Sequence, residues 1–213
     1  MNPILKRIVT ALTTATLAVL AVIYAPPAWF VPVTSILILA AWFEYSQLVA
    51  RKSPLLSVRG FLLLVPGLLL IGGALAVLPF IALRFGNLSL LYVIAAVKIS
   101  DMGGFALGVS FGRHKLCPSI SPNKSWEGLF GSVLAAVVLS LLFIPITHFL
   151  WWKAVLFGIV AALTGTFGDL VESKFKRWVG VKDSATFMPA GLGGFLDMFD
   201  SLLLAPAVLF QFI

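Results

Sequence analysis

Residues 168–201 read GDLVESKFKRWVGVKDSATFMPAGLGGFLDMFDS, and Asp169, Glu172, Asp183, Asp197 and Asp200 within them are five of the eight acidic residues in the chain. A carboxylate beside apolar segments is expensive to bury, so each needs a cation or a polar cavity to face. Asp169 opens a D-x-x-E-S run that places Glu172 and Ser173 on its own face if the run is helical. Asp197 and Asp200 repeat the three-residue step, with Ser201 four residues after Asp197. Two helix ends that each present carboxylates can share a hard divalent cation, which prefers oxygen ligands.

The cations of the same stretch complement the acids. Lys174, Lys176, Arg177 and Lys182 are expected in a loop between the two acidic helix ends, where they suit a phosphate or pyrophosphate. Gly191, Gly193 and Gly194 come just before the last expected helix, where bare N–H groups and the positive dipole end favour an anion. The chemistry implied is a metal and a polyphosphate held together at a membrane surface.

A second polar group lies upstream, in SDMGGFALGVSFGRHKLCPSISPNKSWEGLFG, residues 100–131. Gly104, Gly108 and Gly112 form a small-residue stripe that lets another helix approach closely. Asp101, at the start of that stripe, should face a cavity or a cation, and Lys98 one turn earlier is the alternative partner. Ser125 either caps the following helix, with Glu127 favoured by its dipole, or joins Ser121, Lys124 and Glu127 in binding phosphate oxygens.

The run G-D-L-x-E-S-x-F-K-R, then K-D-S, then P, G-G-F-L-D and D-S resembles the signature of the CDP-diglyceride synthases, also called phosphatidate cytidylyltransferases. The upstream pattern S-D-x-G-x-x-x-x-G-x-x-F-G-x-H-K-L-x-P-x-x-S-P-x-K-S-W-E-G is similar to the corresponding region of the same enzymes. The likeness runs from about Ser100 to Ser201, whereas the N-terminal spans share only their apolar character. The family pattern P-x-H-G-G-x-x-D-R-x-D is altered here: Leu192 stands at the His, Met198 at the Arg, and one extra residue lies between Pro189 and Gly193.

The resemblance implies transfer of a cytidylyl group from CTP to phosphatidate, giving CDP-diacylglycerol and pyrophosphate. It implies that Asp169, Asp197 and Asp200 hold the metal, with Glu172 and Ser173 in support. Mg2+ is the expected cofactor, with room for a second cation. Lys176, Arg177, Lys182 and Lys124 would neutralise phosphates, and Asp101 would line the polar cavity. Ser121, Ser125, Glu127, Asp183, Gly193 and Gly194 complete the expected substrate-binding set. The partners implied are CTP, phosphatidate and membrane lipids, and a homodimer is compatible. Three other readings stay open: a transferase acting on another lipid phosphate or a polyprenol, a small-ion or solute carrier, and an inactive homologue suggested by Leu192 and Met198.

The elements that must position these residues follow from composition. The chain has 213 residues, 61% hydrophobic and only 11% charged, with a mean hydropathy of +1.09, against roughly 45–50% apolar in soluble domains. So little charge cannot cover a soluble surface. The expectation is an all-α, polytopic transmembrane bundle of about seven spans. It forms one integral membrane domain, with N-terminal spans up to residue 99 and a catalytic part from about residue 100.

The expected spans are Ile8–Tyr24, Trp29 to about Val49, Gly60 to about Leu83, Leu88 to Ser100 with its apolar continuation, Glu127 to about Ile146, Phe149–Phe167 and Gly194–Ile213. The first has the outline of a secretory signal, but its apolar run is longer and further spans follow, so it is read as uncleaved. With a cytoplasmic N-terminus, 12 of the 15 Lys and Arg fall on cytoplasmic segments. The site would then face the cytoplasm, in a bacterial inner membrane. That distribution also accounts for the net charge of +7 without nucleic acid.

Cys117 is alone and His114 and His148 lie on different loops, so a thiolate or histidine metal site is not expected. Trp151, Trp152 and Lys153 read as an interfacial anchor. Glu44 is expected to pair with a basic loop, and Lys98 to snorkel.

Overall fold

The computed structural model describes residue 13, residues 16–181, residue 184 and residues 194–213. Residues 16–24 are helical, and the rest of the expected first span falls largely outside the described residues. The Asn87 side-chain amide donates to the carbonyls of Ile23 (3.0 Å) and Ala25 (2.8 Å), closing the end of that helix. A single 3-10 turn, Pro27–Trp29, leads into α1 (Phe30–Ala50). Then follow α2 (Val58–Phe85), α3 (Asn87–Phe111), β1 (Lys115–Cys117), β2 (Ser121–Ser125), α4 (Trp126–Leu142), α5 (Ile144–Thr147) and α6 (Trp151–Val179). The chain closes with α7 (Phe195–Phe199), a 3-10 turn Asp200–Leu202, α8 (Ala205–Leu209) and a last turn Phe210–Phe212.

Among the described residues, five stretches are long and apolar enough to cross a membrane: Pro27–Ala50, Val58–Phe85, Asn87–Phe111, Trp151–Val179 and Phe195–Phe212. A sixth apolar helix, α4, has 17 residues. Large side chains such as Ile36, Leu69, Phe105 and Phe130 remain exposed along these helices, as expected where lipid is the solvent. The protein is a polytopic helical membrane protein, and its strands are confined to the two-stranded antiparallel ribbon β1–β2 among the described residues.

Local chemistry sets the helix ends. The Ser57 hydroxyl accepts from the Gly60 N–H at 3.0 Å and starts α2. Ser125 does the same for Gly128 at 3.1 Å and starts α4, so the capping reading of Ser125 is realised. Gly180, at φ 89°, ends α6 in the left-handed region.

The α3–α4 seam is made of small residues. A Cβ on Gly103 would lie 2.5 Å from the Gly131 carbonyl oxygen, and one on Gly128 would lie 3.0 Å from the Gly104 oxygen. The backbones therefore touch, and any larger residue would separate the two helices. On α6, Gly158 meets the α4 backbone in the same way: a Cβ there would lie 2.6 Å from Val137 Cα. Beneath this seam, Tyr92 stacks on Phe157 with ring centroids 4.4 Å apart and on Phe143 at 5.2 Å.

Two expectations about boundaries change. The sixth span does not end at Phe167 but continues as α6 to Val179, so Lys174, Lys176 and Arg177 lie on a helix and not in a loop. The last span is not one helix. Pro206 lies in the first turn of α8 and offers no N–H to the Leu202 carbonyl that a continuous helix would need, and the chain breaks between the 3-10 turn and α8. Interrupted helices inside a membrane protein persist where the freed backbone groups meet polar partners.

Candidate functional site

Five elements bring the polar side chains together. The α3–α4 seam fixes Asp101 and the ribbon relative to each other, and the ribbon closes where the Trp126 N–H donates to the His114 carbonyl at 3.0 Å. α6 runs past the ribbon and presents Thr166, Asp169, Glu172, Ser173 and Lys176 over its last turns. Gly165 and Gly168 allow the broken last span to lie against α6: a Cβ on Gly168 would sit 2.6 Å from the Asp200 carbonyl oxygen. That approach carries Asp200 to the face of Asp169.

Between these elements is a cavity of about 700 Å³. Asp101, Gly104 and Gly108 of α3 line it, with Ser121, Asn123, Lys124 and Ser125 of β2, Thr166 and Asp169 of α6, and Asp200. Lys124 reaches across from the ribbon to lie 2.6 Å from Asp169 Oδ2, and its ammonium also approaches the Thr166 carbonyl at 3.4 Å. The Ser173 hydroxyl donates to Asp169 Oδ1 at 3.2 Å. The Lys98 side chain is 40% exposed, and its ammonium also finds protein partners: it donates to the Met198 carbonyl at 3.1 Å and to Ser201 Oγ at 3.0 Å, and lies 3.9 Å from Asp101 Oδ2. It thereby fastens α3 to the break in the last span.

Beside the cavity is a closed network. Lys176 Nζ lies 2.6 Å from Glu172 Oε2 and 2.5 Å from Asp197 Oδ1. Asp197 Oδ2 accepts the backbone N–H groups of Gly194 (2.7 Å) and Ser184 (3.0 Å). Both Asp197 oxygens are occupied this way, and the residue does not line the cavity. Carboxylate oxygens of Asp169, Glu172 and Asp200 lie within 4.8 Å of one another, so Glu172 stands where the sequence placed Asp197. The expected convergence of Asp169 and Asp197 on one pocket is replaced by Asp169 with Asp200. The reason is that α7 is only five residues long and turns Asp197 toward Lys176.

The donor set fits a divalent cation. The Glu172 carboxyl is 1% exposed, and neither of its oxygens receives an aligned hydrogen bond despite the Lys176 contact. Asp101, Asp169, Glu172, Asp197 and Asp200 lie with Lys98, Lys124 and Lys176, and Lys115 also lines the cavity, so among the described residues the acids outnumber the cations by one. Unbalanced negative charge in a low-dielectric surrounding is expensive, and a divalent cation with oxygen preference offsets it.

The remaining sequence candidates are distributed as follows. Ser121 and Ser125 line the cavity. Glu127 pairs instead with His114, 2.6 Å from its Nδ1. Arg177 donates to the Val181 carbonyl at 3.1 Å and so closes the end of α6. Gly194 is the residue preceding α7. Lys182, Asp183 and Gly193 lie outside the described residues, as do Leu192 and Pro189. Lys115, Asn123 and Thr166 line the cavity although sequence reasoning passed over them. Alternation along β2 puts Ser121, Asn123 and Ser125 on one face, the signal that would have found Asn123.

The profile of the cytidylyltransferase family matches residues 55–213, three quarters of the sequence. The chain belongs to this family. Phosphatidate cytidylyltransferase of Staphylococcus epidermidis is 44% identical over 117 residues, covering 54% of this chain and 44% of that protein. Phosphatidate cytidylyltransferase of Mycobacterium tuberculosis is 43% identical over 111 residues, 51% of this chain and 33% of that protein. The uncharacterized protein YnbB of Escherichia coli is 39% identical over 140 residues, 65% of this chain and 47% of its own length. The chain spans less than half the length of these curated relatives. As a member of the cytidylyltransferase family it carries Asp101, Lys124, Asp169 and Asp200 within the matched region, and Glu44 outside it.

Proposed function

We propose that the protein is a CTP:phosphatidate cytidylyltransferase. A phosphate oxygen of the lipid attacks the α-phosphorus of CTP, the bond from that phosphorus to the β-phosphate oxygen breaks, and pyrophosphate leaves with CDP-diacylglycerol formed. The observation that carries the proposal is the cavity in which two distant stretches of sequence meet, lined by carboxylates and lysines inside an apolar bundle. The names of the curated relatives support the choice of substrates.

Such a transfer needs no protein nucleophile, because the lipid phosphate is itself one, and catalysis rests on positioning and charge neutralisation. Asp169 and Asp200, with Glu172 beside them, would hold the cation, and Asp101 lines the polar wall. Mg2+, the cation most used with polyphosphates, would supply neutralisation of the charge that develops on the triphosphate. Lys124 exchanges its ion pair with Asp169 for one with a phosphate oxygen, and Lys115, also on the cavity wall, adds a second positive charge. Ser121, Asn123 and Ser125 offer hydroxyl and amide groups to the remaining oxygens. Lys176 is occupied by Glu172 and Asp197, so its part is to hold those acids in place. Lys182 keeps its sequence-based assignment to the phosphates, and Asp183 and Gly193 theirs to the substrate-binding set, and Arg177 sets the end of α6 from which they follow.

The site faces the cytoplasm in this proposal. Lys52 of the α1–α2 connection sits over the Trp178 ring at 5.6 Å, and Lys124 meets Asp169. Two of the basic segments thus gather along the C-terminal part of α6, in keeping with the charge asymmetry of the sequence.

The test uses the purified full chain with CTP, Mg2+ and phosphatidate in mixed micelles, reading pyrophosphate release and the lipid product from labelled CTP. Release that depends on phosphatidate is expected. Release only with polyprenyl phosphate or another lipid phosphate would reassign the acceptor, and no consumption of CTP with any acceptor would overturn the proposal.

A further inference from the structure

Glu44 is the only acidic residue before the region matched by the family profile. It lies on α1 and is fully buried. Instead of meeting a basic loop, its Oε2 accepts the Leu196 N–H at 2.9 Å and lies 3.2 Å from Ser184 Oγ, while Oε1 has no hydrogen-bond partner. No cation pairs with it among the described residues. A carboxylate held this way loses its hydration and gains little Coulombic return, so a span that only filled space would do better with an apolar residue.

What Glu44 touches gives the return. Ser184 and the residues at the start of α7 are held from two sides: Asp197 accepts the N–H groups of Ser184 and Gly194, and Glu44 binds the Ser184 hydroxyl and the Leu196 N–H. A Cβ on Gly194 would collide with Glu44 Oε2 and with Ser184 Oγ, so glycine there is what lets the carboxylate in. Asp197 in turn fixes Lys176, Lys176 fixes Glu172, and Glu172 lies within 4.8 Å of Asp169 and Asp200. An unbroken set of polar contacts therefore links α1 to the acidic cluster.

We infer that Glu44 is a positioning residue for the divalent cation site: the N-terminal span, outside the family match, sets the affinity of the acidic cluster by anchoring α7 and, through it, Asp197 and Lys176. This rests on the metal assignment made above. Residues that orient metal-binding groups without touching the metal change affinity by about 10–100-fold when removed.

The experiment measures Mn2+ binding to the full chain in detergent by the loss of the free-ion electron paramagnetic resonance signal, with thermal unfolding in the absence of metal recorded alongside. Glu44→Gln keeps a carbonyl acceptor for the Leu196 N–H and should bind within about threefold of wild type. Glu44→Ala should bind at least about tenfold more weakly in its folded fraction. Should Glu44→Ala not be recovered folded, Gly194→Ala carries the test: it keeps the acid but pushes it off the α7 start, and the same weakening is expected. A folded Glu44→Ala or Gly194→Ala that melts earlier yet binds Mn2+ as tightly as wild type would show a packing role only and overturn the inference. Absence of Mn2+ binding by wild type would instead overturn the metal assignment, and the positioning role with it.

Discussion

Asp169 and Glu172 are one turn apart on α6, yet they sit in opposite surroundings. Asp169 is 30% exposed, borders the 700 Å³ cavity and pairs with Lys124, which comes from a short ribbon. Glu172 is 1% exposed and pairs with Lys176 of its own helix, which is also locked to Asp197. The first pair can exchange partners when an anion arrives, because water reaches it and the ribbon holds it from one side only. The second cannot be opened without stranding charge in a low-dielectric interior. One helix face thus separates binding from holding, and substitutions on the two sides should fail in different ways.

The largest effect is expected at Asp169. Asp169→Asn removes a charge from the cation cluster but keeps size and polarity, and cytidylyl transfer should fall by about 10³-fold while the melting temperature in detergent is preserved. A variant with wild-type rates would remove Asp169 from the chemistry. Lys176→Met should behave in the reverse manner. It leaves Glu172 and Asp197 without their shared cation, costs about 3–5 kcal/mol, and should appear as a lowered melting temperature and a small yield of folded protein. Equal stability would show that the closed network is not closed.

A smaller change is expected where the two stretches are joined. Gly103→Val places a branched side chain 2.5 Å from the Gly131 carbonyl oxygen, and overpacking of that kind costs about 1–3 kcal/mol. The α3–α4 seam should open, moving Asp101 and the ribbon away from α6. Folded protein should remain while the apparent KM for CTP rises more than kcat falls. A fall in kcat alone would mean that α3 does not position Lys124.

Much of this arrangement was legible in the sequence, and the reasons differ by residue. The D-x-x-E-S step placed Asp169, Glu172 and Ser173 on one face because helical period needs only local geometry. The four-residue glycine recurrence announced a helix contact, which the structure supplies between α3 and α4. What stayed hidden depended on long-range packing. The sign of charge identified Lys176 as a cation, but its burial between two acids depends on where α7 lands. Asp197 looked equivalent to Asp200 by spacing, yet Asp197 faces Lys176 and Asp200 faces the cavity, because the last span breaks into short turns. Glu44 stood out as an acid in a span but was assigned to a basic loop, since nothing near it in sequence hints at a partner 152 residues away.

The smallest expected effect tests the outer edge of the exchangeable side. Glu127 was open to two readings, a helix-start acid or a phosphate binder. In the fold it accepts the His114 backbone N–H at 3.3 Å and lies 2.6 Å from His114 Nδ1, bridging the base of the ribbon. It borders an apolar groove with Leu107, Phe111, Trp126 and Phe130, not the cavity that holds Asp169. Its contribution is therefore to steady the ribbon that carries Lys124, and Glu127→Gln keeps an oxygen for the His114 N–H. Turnover should stay within about fivefold of wild type, the range for an exposed ion pair, with any change confined to KM and reduced further at high salt. A loss comparable to that of Asp169→Asn would place Glu127 against the substrate, and the boundary drawn between the cavity and its support would have to move outward to the ribbon base.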